Sequence, residues 1–165
     1  MGIGGETAAR VAAQGRLMRL GSGEVRFAAA ALASLLAWRE REVRITVDEE
    51  MYEGKMNLAA VANGLYAGGG MMLSPSAKVN DGKLDVVSAS GLGRAKIVRE
   101  LARIHKGGHI ANPKVRITQG KQARIETFKS EDAMMIEADG NVRGVTPVSF
   151  QVMPAALRFV FGKSF

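Results

Sequence analysis

The sequence contains no cysteine and few aromatic residues, and both absences restrict what the protein can be. A chain without cysteine forms no disulfide bond, no thiolate metal site and no cysteine nucleophile, and it is compatible with a reducing cytoplasm. Aromatic residues make up only 5% of the chain, which disfavours stacking on the bases of single-stranded nucleic acid. These absences exclude whole classes of site and leave a globular fold open.

Long hydrophobic segments are also lacking. The longest apolar run, Phe27 to Trp38, is interrupted by Ser34 and is shorter than the roughly 20 residues that a transmembrane helix needs. The N-terminus does not show a charged region followed by an apolar segment and a cleavage site. With 165 residues, of which 47% are hydrophobic and 24% charged, we expect one globular domain that is soluble or at most associated with a membrane surface.

The formal net charge of the chain is +7, and the positive charge is unevenly distributed. Between Ala89 and Ile125 a single acid, Glu100, occurs among nine lysines and arginines. Such a segment attracts phosphate-bearing partners: nucleic acid, nucleotides or an anionic membrane surface. A solvated basic face without a partner explains the same charges, so both interpretations stay open. The nine residues are Arg94, Lys96, Arg99, Arg103, Lys106, Lys114, Arg116, Lys121 and Arg124.

Three segments have the apolar spacing of helices. Glu6 to Leu20 is predicted to form the first. Ser22 is a suitable N-cap for a second, which extends to Trp38 with a broad apolar surface and is expected to be largely buried. The third ends at Gly107 and Gly108. Its apolar face consists of Ile97, Val98, Leu101 and Ile104, and its basic face of Lys96, Arg99, Arg103 and Lys106.

The remaining periodic segments alternate apolar and polar residues as strands do. Val43–Val47 and Met56–Ala62 are predicted to form a hairpin around the turn signal Glu53–Gly54. A long irregular connection rich in Gly, Ser, Asn and Pro then leads to a strand at Lys83–Ser88. Five further short strands are predicted at Val115–Thr118, Ala123–Phe128, Ala133–Ala138, Val148–Val152 and Leu157–Phe161.

Short strands separated by turn signals favour a sandwich or a barrel over a parallel α/β sheet. No internal repeat and no low-complexity linker divides the chain. The predicted fold class is therefore α+β: a β-sandwich of short, mostly antiparallel strands with two N-terminal helices and one basic helix inserted.

Two acidic turns are the candidate sites for chemistry. Asp139–Gly140 is a strong turn dipeptide, so a tight hairpin is the simplest interpretation and a chemical role for the carboxylate is the alternative. The same choice applies to Asn80–Asp81–Gly82, where the preceding loop is long enough to wrap a cation such as Mg²⁺ with a carboxylate and main-chain carbonyls. From the residues alone, both choices stay open.

Two other motifs carry less weight. His105 and His109 have a spacing that chelates a metal on a helix, but the glycines between them end the helix, so we assign both to the cationic surface. The glycine cluster Gly68–Gly70 is not followed by the Lys-Ser or Lys-Thr of a phosphate-binding P-loop. Pattern alone thus predicts a basic α+β domain with two acidic turns and no assigned reaction.

Three longer motifs together resemble a known family. "VANGLYAGGGMMLSPSAKVNDGKLDVV" (Val61 to Val87) resembles the part of the bacterial diacylglycerol kinase and sphingosine kinase-like family in which Asn-Gly, a glycine cluster, Pro-x-Ala and Asp-Gly-x-Leu-Asp occur in that order. "IEADGNVRGVTPVSFQVMPAALRFV" is similar to the family's closing motif, and "MGIGGETAARV" to the entry into its C-terminal domain. The resemblance covers nearly the whole chain.

The resemblance implies a two-domain lipid kinase, of which residues 1–165 would be the C-terminal, lipid-substrate-side domain. In the family, an N-terminal α/β domain carries a Gly-Gly-Asp-Gly-Thr nucleotide loop, and that loop sequence does not occur here. ATP, bound mainly by that domain, and Mg²⁺ would meet the hydroxyl of a lipid such as diacylglycerol between the domains and yield a lipid phosphate such as phosphatidic acid. We expect the isolated domain to be inactive.

The same resemblance assigns roles to individual residues. Asp139 matches the first acid of the family's Asp-Gly-Glu turn, where it would act as the catalytic base or as a negative charge. Asn141 stands where the family has Glu, and an amide cannot take a proton from a hydroxyl. For the family's structural Mg²⁺, the resemblance implies the carboxylate of Asp81 and the main-chain oxygens of Lys78 and Lys83.

The implied partners are the lipid substrate, an anionic membrane surface and the N-terminal kinase domain, with a homodimer as a further option. The implied location is cytoplasmic and peripheral, at the inner membrane face, and the helix from Arg94 to Lys106 is the candidate surface for anionic headgroups. The alternative hypothesis is a non-catalytic basic module that binds anionic lipid or nucleic acid, with Asn141 marking the loss of kinase function. The scarcity of aromatic residues disfavours nucleic acid.

Overall fold

Short strands are the main regular elements of the structure, a computed structural model that describes residues 1–13, 30, 32–139 and 141–158. The strands are β1 (Arg41–Val47), β2 (Glu50–Ala62), β3 (Tyr66–Ala67), β4 (Met71–Met72), β5 (Leu84–Ser90), β6 (Val115–Gly120), β7 (Gln122–Thr127), β8 (Met135–Ala138), β9 (Asn141–Val145) and β10 (Val148–Gln151). Six of them form one antiparallel sheet in the order β10-β7-β1-β2-β5-β6, and the hairpins β3–β4 and β8–β9 lie outside it.

The main hydrophobic core contains alternate residues of the large sheet. In β1 the buried Val43, Ile45 and Val47 alternate with the less buried Arg44 and Thr46, as predicted. Each fully buried side chain of this size contributes about 1.5–3 kcal/mol relative to an exposed one. The described members of the main core cluster are Met1, Trp38, Val43, Ile45, Val47, Met56, Ala59, Val86, Ala123, Ile125, Met134 and Ile136.

Strand β5 is covered on both faces, since it is buried from Leu84 to Ala89. Val86 belongs to the main core cluster, whereas Ala89 packs with Leu35, Leu92 and Ile97 in a second cluster. Successive strand residues point to opposite faces, so these two clusters lie on opposite sides of the sheet. The fold class is confirmed: mostly antiparallel strands with a few helices form an α+β, β-sandwich-like unit.

The β1–β2 hairpin forms as predicted, but its turn lies elsewhere. Asp48 and Glu49 connect the strands, whereas Gly54 of the predicted turn lies inside the ladder opposite Val43. Asp48 has φ 50°, a conformation that Asp tolerates better than most residues. Its carboxylate accepts hydrogen bonds from main-chain N–H groups of the β6–β7 turn. Contacts distant in sequence therefore stabilise this turn, and the local dipeptide Glu53–Gly54 is a misleading signal.

Helix α1 spans Ile3–Ala12 and so begins before the predicted Glu6. The predicted continuation through 14–20 lies outside the described residues. Gly2, just before the helix, has φ 77°, and a Cβ atom there would lie 2.6 Å from the carbonyl oxygen of Asn57. Glycine is therefore needed at this position, where it lets the chain pass directly against β2.

The second predicted helix is partly described. Residues 32–37 are helical, and Leu35 is buried in the second core cluster together with α-helical Ile97. Leu32 and Leu36 are 58% and 61% exposed, so the expectation of a largely buried helix is wrong for this part. The segment packs with one face only. Its predicted cap Ser22 and the residues up to 29 lie outside the described part of the chain.

Helix α2 spans Arg94–Ile104 and ends at Gly107, which has φ 67°, in agreement with the prediction. Its buried side chains are Ile97, Glu100 and Ile104. Of the predicted apolar face, Val98 and Leu101 are exposed, because a helix that packs through one narrow stripe buries only positions three and four residues apart. The basic side chains of Lys96, Arg99, Arg103 and Lys106 are exposed as predicted.

Two strand predictions fail in the C-terminal part. β9 is not among the predicted strands, and it is exposed at all five positions, so no alternation of burial marks it. Leu157 and Arg158 lie outside any strand, and the rest of the predicted strand to Phe161 is outside the described residues. No helix among the described residues is long and apolar enough to cross a membrane.

Candidate functional site

Asp139 lies at the tip of the β8–β9 hairpin. Ala138 pairs with Asn141, so Asp139 and residue 140 form a two-residue loop. Asp139 has φ 53°, the left-handed conformation that tight hairpin turns need. The Asn141 Nδ2 group donates a hydrogen bond to the carbonyl oxygen of Asp139 at 2.9 Å. The main chain and Asn141 thus hold the turn, and the exposed Asp139 carboxylate accepts no hydrogen bond from another described residue.

The base of this hairpin is anchored in the core. Met134, just before β8, and Ile136, within it, are buried in the main core cluster. The Met134 N–H donates a hydrogen bond to Thr146 Oγ1 at 3.0 Å, and the buried Thr146 hydroxyl also lies 3.0 Å from Thr127 Oγ1 on β7. Buried polar groups that are satisfied in this way add rigidity. The hairpin therefore rises from a fixed base.

Arg41 joins helix α1 to the start of the same hairpin. Its Nη1 donates to the carbonyl oxygen of Ala133 at 2.7 Å, and its Nη2 lies 2.6 Å from Glu6 Oε1. The two charged side chains are only 14% and 17% exposed, so removing one would leave the other unpaired in a poorly solvated place. The outer strand β9, in contrast, is exposed along its whole length. The structure thus combines a fixed base with a free outer strand and tip.

The Asp81 turn brings together the three residues assigned to Mg²⁺. Asp81 Oδ1 accepts a hydrogen bond from the Lys83 N–H at 2.9 Å, and the Asp81 N–H lies 3.5 Å from the Lys78 carbonyl oxygen. Carboxylate and carbonyl oxygens are the ligands that Mg²⁺ takes, and each keeps a lone pair beside these bonds. The donor atoms therefore suit a hard cation. The described residues contain no group of three or more His, Asp and Glu side chains placed for a metal, so main-chain oxygens and water would complete the shell.

Sequence analysis missed a second acid of the same motif, Asp85. This residue lies in β5 and is 1% exposed. Its Oδ1 accepts a hydrogen bond from Gln119 Nε2 at 3.1 Å and lies 3.5 Å from Ser76 Oγ, while Oδ2 has no hydrogen-bond partner among the described atoms. Burying a carboxylate oxygen without a partner is costly. An acid inside an otherwise apolar strand was the signal that would have singled it out.

Comparison with known proteins places the chain in a family. The model described as "YegS C-terminal NAD kinase beta sandwich-like domain" matches residues 3–161. The chain belongs to this family. Diacylglycerol kinase of Mycobacterium tuberculosis (strain H37Rv) is 31% identical over 142 residues, which cover 86% of this chain and 45% of that protein. Diacylglycerol kinase of Bacillus subtilis (strain 168) is 23% identical over 128 residues, which cover 78% of this chain and 41% of that protein.

A solved structure shares the fold of this YegS C-terminal domain. The crystal structure of a diacylglycerol kinase from Bacillus anthracis str. Sterne matches 93% of this chain and 47% of that chain, with a TM-score of 0.60 and 21% identity. The domain spans less than half the length of each of these relatives. The resemblance to the C-terminal domain of the family is therefore confirmed.

The two histidines of the YegS C-terminal domain have different surroundings. His105 is exposed at the end of α2. His109 is 4% exposed, and its Nε2 lies 3.0 Å from the carbonyl oxygen of Leu73. The assignment to the cationic surface is therefore wrong for His109, because its ring supplies a hydrogen bond that the inner end of a long loop needs. His109 fastens the connection between β4 and β5 to the segment after α2.

Proposed function

We propose that this domain forms the lipid-substrate side of a kinase active site that transfers the γ-phosphate of ATP to a lipid hydroxyl, such as that of diacylglycerol. Membership of the family and the names of the relatives support a lipid kinase. The Gly-Gly-Asp-Gly-Thr loop expected of the nucleotide-binding domain does not occur in this sequence. ATP would therefore be held mainly by a domain outside these 165 residues, and the chain alone would be inactive.

The Asp139 tip is the observation that carries this proposal. Its carboxylate is exposed, it is unused by the turn, and the hairpin beneath it is fixed by buried contacts. A rigidly supported acid on an otherwise exposed strand is suited to act on a group that another domain presents. Asp139 would take the proton of the lipid hydroxyl or place negative charge beside it.

Asn141 has a different role in this proposal. Its amide donates to the Asp139 carbonyl oxygen, so it shapes the turn and cannot replace the family's Glu as a base. Phosphoryl transfer depends mainly on positioning and charge stabilisation. A turn with Asp139 as its single acid is therefore compatible with catalysis, with Asp139 carrying the whole task.

The Asp81 turn would hold a structural Mg²⁺ ion through the Asp81 carboxylate and the main-chain oxygens of Lys78 and Lys83. Bound there, the cation would stiffen the loop that leads into β5. We also propose that the domain works at the cytoplasmic face of the inner membrane, with an anionic membrane surface, its lipid substrate and the nucleotide-binding domain as partners. A homodimer is a further option for its assembly.

A chimera tests the proposed function. The matching segment of Mycobacterium tuberculosis diacylglycerol kinase is replaced by this chain, and transfer of labelled phosphate from ATP to diacylglycerol in mixed micelles is measured. We expect activity from the chimera and none from the 165-residue chain alone. Activity of the chain alone, or a folded chimera that is inactive, would refute the proposal.

A non-catalytic module for anionic lipid is the second candidate, and Asn141 favours it because the family's second acid is missing. Such a module would sediment with anionic vesicles while the folded chimera stays inactive. Binding to DNA that falls steeply with salt and needs no membrane would instead indicate a nucleic-acid module.

A further inference from the structure

A small polar cavity lies beside helix α2, and its walls are unusually cationic. It has a volume of about 300 Å³ and is bounded by one face of α2 and by the segment 111–114 that follows the helix. The charged and amide groups that line it are Lys96, Arg99, Glu100, Arg103, Asn112 and Lys114. None of the residues of the Asp139 tip or the Asp81 turn lines it, so it is separate from the sites described above.

The charges around the cavity do not cancel. Four cationic side chains face a single carboxylate, that of Glu100, which leaves three positive charges without a partner in the lining. Arg99 Nε and Arg103 Nη1 lie 3.6 and 3.4 Å from the Glu100 carboxylate, so this acid holds two of the cations. Lys96 forms no ion pair or hydrogen bond with another described residue and points its charge at no acid.

Glu100 also organises the opposite wall. Its side chain is only 7% exposed and accepts a hydrogen bond from Asn112 Nδ2 at 3.1 Å. The other end of the Asn112 amide, Oδ1, accepts the Lys114 N–H at 3.0 Å, and Lys114 Nζ donates to the carbonyl oxygen of Gly91. A buried acid thus fixes cations from the helix and from the loop in one arrangement before any ligand binds, which reduces the entropic cost of binding.

We propose that this cavity is a binding site for a phosphate group. Arginine and lysine donors on several sides suit the oxygens of a dianionic phosphate, and arginine offers paired donors for them. The volume is at the low end of the roughly 300–1,000 Å³ range of ligand pockets, so it suits inorganic phosphate or a phosphomonoester headgroup rather than a whole nucleotide. The site does not depend on the proposed kinase activity.

Two sources supply this chemistry: free phosphate and the headgroup of a lipid phosphate. Titration of the full chain with inorganic phosphate at constant ionic strength, followed by calorimetry, tests the first. Co-sedimentation with vesicles that contain phosphatidic acid, compared with vesicles of equal phosphatidylglycerol content, tests the second. Saturable binding in either arm supports the site and identifies the source, and binding in neither arm overturns it.

Two single variants locate the binding. Lys96→Gln and Arg103→Gln are each expected to weaken the binding about tenfold, since each removes one charge from the cavity. Lys121→Gln is the matched control, because Lys121 follows the far end of β6, about 20 Å from Lys114 along the strand. Lys96 has no described partner, so its substitution does not disturb the fold. Equal loss in all three variants would show a diffuse charge effect and overturn the proposal.

Discussion

Two hairpin turns in this domain place an aspartate in the same left-handed conformation, yet they use its carboxylate differently. Asp48 has φ 50° and Asp139 has φ 53°. Asp48 Oδ1 accepts the N–H groups of Lys121 at 3.0 Å and Gln122 at 2.9 Å, whereas the Asp139 carboxylate is exposed and accepts none from the described chain. The backbone requirement is the same in both turns. Only the second leaves a carboxylate available for a partner outside the domain.

The pKa of Asp48 agrees with this difference. The hydrogen bond from the Lys121 N–H, followed by that from Gln122, lowers the pKa of the Asp48 carboxyl below its usual value. A carboxylate whose folded-state pKa is lowered stabilises the fold above its unfolded-state pKa. Asp48 therefore contributes to the stability of the fold, and Asp139 remains the candidate for chemistry.

The largest expected effect is on activity at the Asp139 tip. In the chimera, Asp139→Asn should lower phosphate transfer by about 100-fold or more, the usual contribution of a general base, because the amide cannot accept the proton. The melting temperature should not change, since the carboxylate has no bond in the described fold. A lowered melting temperature with unchanged turnover would show that Asp139 serves the turn.

The next effect is on packing around Asp48. A Cβ at Gly120 would lie 2.5 Å from Val47 Cγ1 and 2.8 Å from Asp48 Oδ2. Gly120→Ala should therefore cost about 1–3 kcal/mol of unfolding free energy, measured by urea denaturation. Gly68→Ala is the control, because nothing lies within 4 Å of the added carbon. Equal stability of the two variants would contradict the close approach of the β6–β7 turn to Asp48.

Asp48→Asn should have a smaller effect that depends on pH. Loss of the charged acceptor should lower the melting temperature by about 2–4 °C at pH 7. Since the folded-state pKa is the lower one, the contribution of Asp48 is complete above about pH 4, the unfolded-state value, and is lost as the pH falls through the folded-state pKa. The difference between the two proteins should shrink over that range. A difference that grows on acidification would be inconsistent with the lowered pKa.

The smallest effect concerns the Asp81 turn and needs Mg²⁺. Mg²⁺ should raise the melting temperature of the domain, because it binds the folded state, and Asp81→Ala should abolish that increase. Asp139→Ala removes an exposed acid from the other turn and should keep the increase. If both variants respond to Mg²⁺ like the unchanged protein, the proposed site is wrong.

Patterns in the sequence predicted the large sheet better than the exposed hairpin. The alternation of Val43, Ile45 and Val47 reflects one buried face, so β1 could be predicted from local residues. β9 has no buried residue, and a strand without a buried face leaves no alternation to detect. The β1–β2 turn was misplaced because the bonds that stabilise Asp48 come from residues more than 70 positions away.

The candidate site was predictable to a similar degree. Motif resemblance led to Asp139 and Asp81, which lie in exposed turns as expected. It did not lead to the burial of Asp85 or of His109, since both depend on which elements pack around them. The cavity beside α2 also escaped prediction, because the burial of Glu100 in a basic helix becomes visible only when α2 and the segment 111–114 are placed together.

One measurement tests most directly whether this domain offers the Asp139 tip to a nucleotide held by another domain. The chain has no cysteine, so Asp139→Cys and Glu49→Cys each introduce a single thiol into it, at the exposed turns of the two compared hairpins. In the chimera, the rate of thiol modification at each position is followed by mass spectrometry with and without a non-hydrolysable ATP analogue. The nucleotide should slow modification at position 139 and leave position 49 unchanged. Equal rates at position 139 with and without nucleotide would contradict the account.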